Sequence, residues 1–588
     1  MGPIVERDKD PQYMSDSKKI ARLLRDTLKY RKDSVIVAVT LIASSAVGMI
    51  GPYVIGLAAG SLENRDFSLA LTLAAVYAAM YLGNYVAENR RTYLMPVLSQ
   101  RVIMDLRNKC FESLQKVSVR YFSKRETGRI MSYITNDAEA LSDFLTFQMP
   151  QVLAGLTTIV GTIAIMLYLD VKLTLIALIV IPILGGFAVS LQRKIRETYL
   201  ETRRKIAMVT ARLQETISGI RVIQAFARED TSSARFDAAN TENMRVNIKA
   251  TKLSSFFNST IQVIEAFGIA LVLYFGTHQV LVGATTLAVL VSFVFYVQNF
   301  FNPVLQLSLF YNSYQSAMTG LDRVYRLADE KPQIDVSSSL VRLPDISGQI
   351  EFSDVSFSYE KMEVLHNVSF FIPSGKKVAL VGPTGAGKST IINLLLRFYD
   401  PTSGKILIDG HDLKQIDPVS YRKRVAVVLQ EALLFSGSVL ENIRLGAPEL
   451  TRDQVLKKLD EYGLNDFFST LPQGVDSVLS ERGANLSDGQ KQMIALARAV
   501  VRDPRIIILD EATAQLDPKT ERKIQSVLEH GLSGRTVVMI AHRLSTVRIA
   551  DQILYVENGQ IVESGSYEQL IAKGGRFSRL EKLQFSAV

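Results

Sequence analysis

The chain has 588 residues, too many for one compact core, and 48% of them are hydrophobic beside 21% that are charged. Such an average implies two unlike parts, one apolar and one charged. The single cysteine, Cys110, excludes an internal disulfide framework and a cysteine-rich metal site, and five scattered histidines without ligand spacing argue against zinc. The net charge of +9 fits either nucleic acid or an anionic membrane surface.

The first thirty residues are charged and lack an apolar centre, so no cleavable signal peptide is expected. Six stretches then lack charge, or nearly so: 34–62, 67–87, 144–169, 173–192, 253–277 and 279–321. A membrane span needs about 20 apolar residues, which soluble cores rarely string together, so these read as six transmembrane helices. Asp66, Asp170 with Lys172, and His278 mark short turns after the first, third and fifth. The segments after the second and fourth are long and basic, with ten Lys/Arg between 89 and 143 and thirteen between 193 and 252. The short turns hold only Arg65 and Lys172. The positive-inside bias therefore places the long segments and both termini in the cytoplasm of a multi-pass protein of the cell membrane. Topology explains the basic charge, and no nucleic-acid partner is required.

Within the fifth span, Thr251, Ser255, Asn258, Gln262 and Glu265 step by four, three, four and three, which puts them on one helix face. An acid on a polar intramembrane stripe reads either as a cavity wall facing cationic cargo or as a helix–helix contact. The sixth span, "SFVFYVQNFFNPVLQLSLFYNSYQ", carries many aromatics, amides four apart at Gln298, Asn302 and Gln306, and Pro303 as a kink candidate. Glu265, Gln262, Asn258, Gln298 and Asn302 are the candidate substrate contacts.

Residues 1–326 thus read as an all-α transmembrane domain and 327–348 as a polar linker. From 349 to 588, short apolar strands alternate with helices, as in an α/β domain with a buried parallel sheet. "VALVGPTGAGKSTIINLLL" has strand, glycine-rich loop and helix in the order a phosphate loop requires. Gly382, Pro383, Thr384, Gly385, Ala386, Gly387, Lys388, Ser389 and Thr390 form it. Its glycines let N–H groups surround phosphate, Lys388 reaches the β/γ phosphates, and Ser389 ligates Mg²⁺. In "RIIILDE" the strand ends on Asp510, suited to the Mg²⁺ shell, and Glu511, suited to polarising water. "ANLSDGQKQMIALARAV" ends as a helix, with Met493, Leu496, Ala497 and Val500 at helical spacing. It opens at Ser487 and Gly489 like an anion-binding terminus, yet Asp488 sits between them.

With Tyr359, the phosphate loop, Gln430, "LSDGQ", "ILDEATAQLD" and His542 in this order, the second half resembles an ABC-type ATPase domain. The whole chain is similar to a half-transporter of the ABC exporter superfamily, of the multidrug/lipid exporter type. "YFSKRETGRIMSYITNDAEAL" (121–141) and "SGIRVIQAFARED" (218–230) resemble cytoplasmic loops that carry coupling helices. The resemblance implies that ATP and Mg²⁺ are bound, with Tyr359 stacking on adenine, Gln430 touching Mg²⁺ and water, and His542 contacting the γ-phosphate beside Glu511. Asp517 would belong to a loop crossing to the opposite subunit. It also implies that Ser487, Gly489 and Gln490 cap the nucleotide of a second ATPase domain, so the chain works as a dimer. The reading taken is a homodimer, with a heterodimer as the alternative. Two departures from the family pattern stand out: Asp488 in place of glycine, and Ala514 with Gln515 in "AQLD". A carboxylate about 7 Å from the phosphate would cost about 2 kcal/mol per opposing charge at an effective dielectric of about 20, unless it turns outward. The function implied is ATP-driven export or leaflet translocation of hydrophobic or amphipathic cargo. Lipid, drug and peptide remain open as cargo, and an ATP-gated channel or regulatory membrane ATPase is the alternative.

Overall fold

In a computed structural model, the protein is described over residues 13–332, 340–343, 345–360, 362–510, 518–527, 532–541 and 543–584. The chain divides into two compact units, 1–114 with 128–329, and 115–127 with 330–588.

The first unit is helical. Among the described residues, four helices are long and apolar enough to cross a membrane: Arg31–Glu63, Phe67–Lys116, Thr127–Leu169 and Glu229–Leu281. Shorter apolar segments, Val171–Phe187 and Leu287–Phe301, coincide with the fourth and sixth apolar stretches. The 50-residue helix Phe67–Lys116 and the 53-residue helix Glu229–Leu281 are about 75–80 Å long at 1.5 Å per residue, more than twice a hydrocarbon core. Their apolar halves match the sequence stretches, and their polar halves continue beyond them. A short helix lies within each long basic segment, Val119–Ser123 and Ile220–Ala225.

Two of the expected turns are helix starts held by their acids. The Asp66 carboxylate accepts from the Leu69 N–H at 2.9 Å, and Asp170 from that of Leu173 at 3.0 Å. The third turn corrects the reading at His278. The helix runs on to Leu281, Gly283 takes φ +74°, and Thr286 caps the helix Leu287–Ala328. A histidine carries no helix-stopping geometry, whereas a left-handed glycine and a threonine cap do. That last helix continues through Pro303. The N-terminal helix Asp16–Leu28 is anchored on its end: Arg22 meets the Asp329 carboxylate at 2.8 Å, and the buried Lys19 lies 3.1 Å from both Asp16 and Asp322.

The second unit is built on a six-stranded sheet. Its strands lie in the order Gln560–Gly565, Gln552–Glu557, Lys377–Val381, Thr536–Ile540, Ile506–Asp510 and Val425–Val428. All neighbours are parallel except the first pair. Both faces are buried, with alternate side chains serving opposite cores. Ala379, Val381, Ile507 and Leu509 face the cluster of Met493, Leu496 and Val500. Val378, Leu380, Ile506 and Ile508 face Ile391, Leu394 and the residues of an antiparallel sheet such as Phe352. Burial on two sides explains why these strands read as unbroken apolar runs.

Candidate functional site

The registers of the parallel sheet put four strand ends at one level. Ile540 lies opposite both Leu380 and Asp510, and Val428 lies opposite Leu509. The loops leaving these strands therefore open off one carboxyl edge, where doubly covered parallel sheets take their ligands. The phosphate loop follows Val381, Gln430 follows Val428 by two residues, and Asp510 closes its own strand. One strand separates the phosphate-loop strand from the Asp510 strand, a gap of about 10 Å at two strand spacings.

Backbone contacts fix the loop shape. Gly382 has φ +150°, and a Cβ there would stand 2.0 Å from the Val556 carbonyl oxygen. Gly387 has φ +104°, caps the helix Lys388–Leu395, and a Cβ there would stand 2.7 Å from Leu365. No side chain fits at either position, so the loop curls against the turn that follows the strand Gln552–Glu557, whose Gly559 N–H reaches the Ala386 carbonyl at 3.2 Å. The buried Lys388 ammonium donates to the carbonyls of Gly382 at 2.7 Å and Pro383 at 2.8 Å. A glycine nest, a helix start and a buried ammonium at one loop fit a polyphosphate. Pro383, Thr384, Gly385 and Ser389 are exposed, while Ala386 and Thr390 are buried.

Tyr359 ends the strand Ile350–Tyr359 with its ring edge-on to Phe357 and Tyr399, at 4.7 and 5.2 Å between centroids. Asn393, on the helix after the phosphate loop, donates to its hydroxyl at 3.3 Å. The next residue, Glu360, forms an ion pair with Lys124, beside the short helix Val119–Ser123 in the same unit. Lys124 holds the Glu360 carboxyl below the ordinary carboxylate range.

The helix Asp488–Val501 buries Met493, Leu496, Ala497 and Val500, as its spacing predicts. Its start is a capping box: Ser487 Oγ accepts from the Gln490 N–H at 3.3 Å, and Gln490 Oε1 from the Ser487 N–H at 2.9 Å. The Asp488 carboxylate turns back along the helix to Lys491, 3.1 Å away. Sequence reading missed two further residues of this helix. The buried Gln492 donates to the Gln430 carbonyl at 2.7 Å, and Arg498 donates to the carbonyls of Leu433 at 3.0 Å and Asn442 at 2.9 Å. An amide flanking a buried stripe was the available signal for Gln492. The candidates Glu511 and His542, together with Ala514, Gln515 and Asp517, lie outside the described residues.

In the membrane unit, Thr251, Ser255, Asn258 and Gln262 are exposed on the protomer and Glu265 is half-buried. Glu265 borders the packed side of that helix, since Ile261, one turn before it, and Val272, two turns after it, pack into the cluster of Leu173, Val180 and Phe293. Among the described residues, Glu265 has no hydrogen-bond or ion-pair partner. Gln298 is exposed; the side chains of Asn302 and Gln306 lie outside those described.

Comparison with known proteins agrees with both halves. Residues 34–304 match the model of the ABC transporter transmembrane region, and residues 365–514 match the ABC transporter model. The chain is 39% identical over 96% of its length to the uncharacterized ABC transporter ATP-binding protein YknV of Bacillus subtilis, spanning 94% of that protein. It is 36% identical to an ATP-dependent lipid A-core flippase of Syntrophus aciditrophicus, over 84% of this chain and 82% of the flippase. It is 33% identical to the putative multidrug export protein YgaD of Bacillus subtilis, over 89% of this chain and 91% of the relative. Its fold is similar to a bacterial Atm1-family ABC exporter with ATP bound, at a TM-score of 0.78 and 27% identity, covering 94% of this chain and 98% of that one. A helical membrane region fused to a phosphate-loop domain, with these relatives, makes the chain a member of the ABC transporter family: a membrane-embedded exporter half with an ATPase coupled to transport.

Proposed function

We propose that the chain exports, or moves between leaflets, hydrophobic or amphipathic molecules as a homodimer of half-transporters in the cell membrane, with both termini and the ATPase domain in the cytoplasm. The observation that carries this reading is the shared edge of the sheet, where the phosphate loop, Gln430 and Asp510 converge at the ends of registered strands. Lys388 releases its loop carbonyls to meet the β/γ phosphates, and the loop N–H groups surround them. Tyr359, held edge-on by its aromatic neighbours, offers a ring face to adenine. Mg²⁺, when bound, would concentrate positive charge on the phosphate oxygens, and Ser389, Gln430 and Asp510 are the residues that would hold it. Glu511, next in the chain after Asp510, orients the attacking water, and His542 contacts the γ-phosphate. Ser487, Gly489 and Gln490 serve the nucleotide of the second chain. Closure on ATP drives the membrane helices to the outward-opening state because ATP binds the closed pair better than the open one, and hydrolysis resets them.

The membrane unit and the relatives support this cargo class. Two relatives are named for a lipid A-core flippase and for putative multidrug export, and amphipathic chemistry is common to both. The polar stripe is exposed from Thr251 to Gln262 and meets the protomer's own core at the half-buried Glu265, which suits the edge of a cavity wall completed by the second chain. Proteoliposomes test this reading by ATP-dependent movement of a labelled phospholipid and of a fluorescent cationic amphiphile, with Glu511→Gln as the blank. Movement of either above the blank supports it. ATP hydrolysis that moves neither would remove it.

A further inference from the structure

An acidic residue heads the helix whose start must meet a nucleotide phosphate, and the arrangement around it shows how the two coexist. Asp488 is the first residue of the helix Asp488–Val501, with Ser487 as its cap. The capping box engages the Ser487 and Gln490 N–H groups, leaving those of Asp488 and Gly489 as the first-turn donors for an anion. A free carboxylate at this position could fold onto those same donors and repel an incoming phosphate. In the structure it lies instead 3.1 Å from Lys491 Nζ, one turn along the helix.

We propose that Lys491 is a positioning residue for the nucleotide sandwich, drawing the Asp488 carboxylate off the helix mouth and neutralising it. The inference rests on the reading that this helix start caps the nucleotide of the second chain. The pair is lopsided in exposure: the Asp488 side chain is 69% exposed and that of Lys491 24%, so the lysine is the better-held member and sets the direction. Exposed pairs at this spacing add little to folding, so removing Lys491 acts on phosphate binding and leaves the fold in place. An ordinary structural salt bridge predicts no such effect.

The test is steady-state ATPase of the full chain in lipid nanodiscs, for Lys491→Met, Lys491→Arg, Asp488→Gly and the double variant Asp488→Gly/Lys491→Met. Lys491→Met is expected to raise the KM for ATP about fivefold while kcat changes less than about twofold, since the freed carboxylate opposes the phosphate. Lys491→Arg, which keeps the charge, restores the KM. The double variant restores it too, because no carboxylate remains to be held. Two results overturn the proposal: an unchanged KM in Lys491→Met, or a double variant as impaired as Lys491→Met, which would mean that the lysine itself meets the nucleotide. The Glu511→Gln chain sets the floor for the assay. A wild-type rate at that floor would remove the homodimer, and with it the role of the pair between two copies of this chain. Wild-type turnover with an indifferent Lys491→Met would remove the pair alone.

Discussion

Gln492 donates to the main-chain carbonyl of Gln430 at 2.7 Å, joining the helix that opens at Ser487 to the residue expected to touch Mg²⁺ and the attacking water. Arg498 adds a second tie through the Leu433 carbonyl, 3.0 Å away. A helix proposed to cap the partner's nucleotide is thereby fastened to the loop of its own candidate site. Gln492→Leu removes the hydrogen bonds to the Gln430 and Leu429 carbonyls, worth about 1 kcal/mol each, and so leaves the domain folded. It is expected to lower kcat several-fold with a smaller change in the KM for ATP, measured by steady-state ATPase beside thermal unfolding. A loss of Tm matching the loss of rate would assign Gln492 to folding alone.

Lys388 makes the plainest prediction for the phosphate loop. Its ammonium is buried and rests on two loop carbonyls, a geometry that holds its donors at the nest. Hydrogen bonds to a charged group are worth about 1.5–3 kcal/mol, so Lys388→Met should weaken ATP binding about tenfold to a hundredfold. Equilibrium binding of a fluorescent ATP analogue checks it. Undiminished binding would contradict the assignment of the loop.

The ion pair of Lys124 with Glu360 places a residue of the first long basic segment beside the neighbour of the candidate adenine-stacking Tyr359. Both partners are substantially exposed, so a charge reversal disturbs the contact more than the fold. Lys124→Glu should abolish stimulation of ATPase by cargo, and the exchange Lys124→Glu/Glu360→Lys should restore it. Because Lys124 depresses the Glu360 pKa, the contact is complete at neutral pH and is lost only as pH falls through that lowered value. Coupling carried by this pair should therefore be flat between pH 6 and 8.

Glu265 is the test of cargo charge. If its stripe lines the cavity, Glu265→Gln should weaken stimulation of ATPase by cationic amphiphiles and spare basal turnover, as read from dose–response curves. Unchanged cation stimulation would leave the stripe as a contact between helices.

Much of the architecture is legible in the residues because local chemistry dictates it. "KVALVG" and "RIIILD" are apolar on both faces, so they announce strands covered on two sides, and the loop after Val381 needs glycine where Val556 and Leu365 press on it. Asp66 and Asp170 announce helix starts by capping them. His278 misled because charge marks a turn less surely than backbone geometry, which here falls on Gly283 and Thr286. The direction of Asp488 was half legible: a lysine three residues on is a ready partner, but only coordinates show that the carboxylate takes it. Gln492 with Gln430, and Lys124 with Glu360, join residues 62 and 236 positions apart, and no local pattern pairs them.

The most direct measurement is the ATPase activity of this chain purified alone in lipid nanodiscs, beside Glu511→Gln. The account predicts turnover above that blank, since two copies supply every hydrolytic residue and Lys491 accommodates Asp488 in both composite sites. Folded protein that binds ATP yet hydrolyses it no faster than the blank would contradict the homodimer and require a different partner chain.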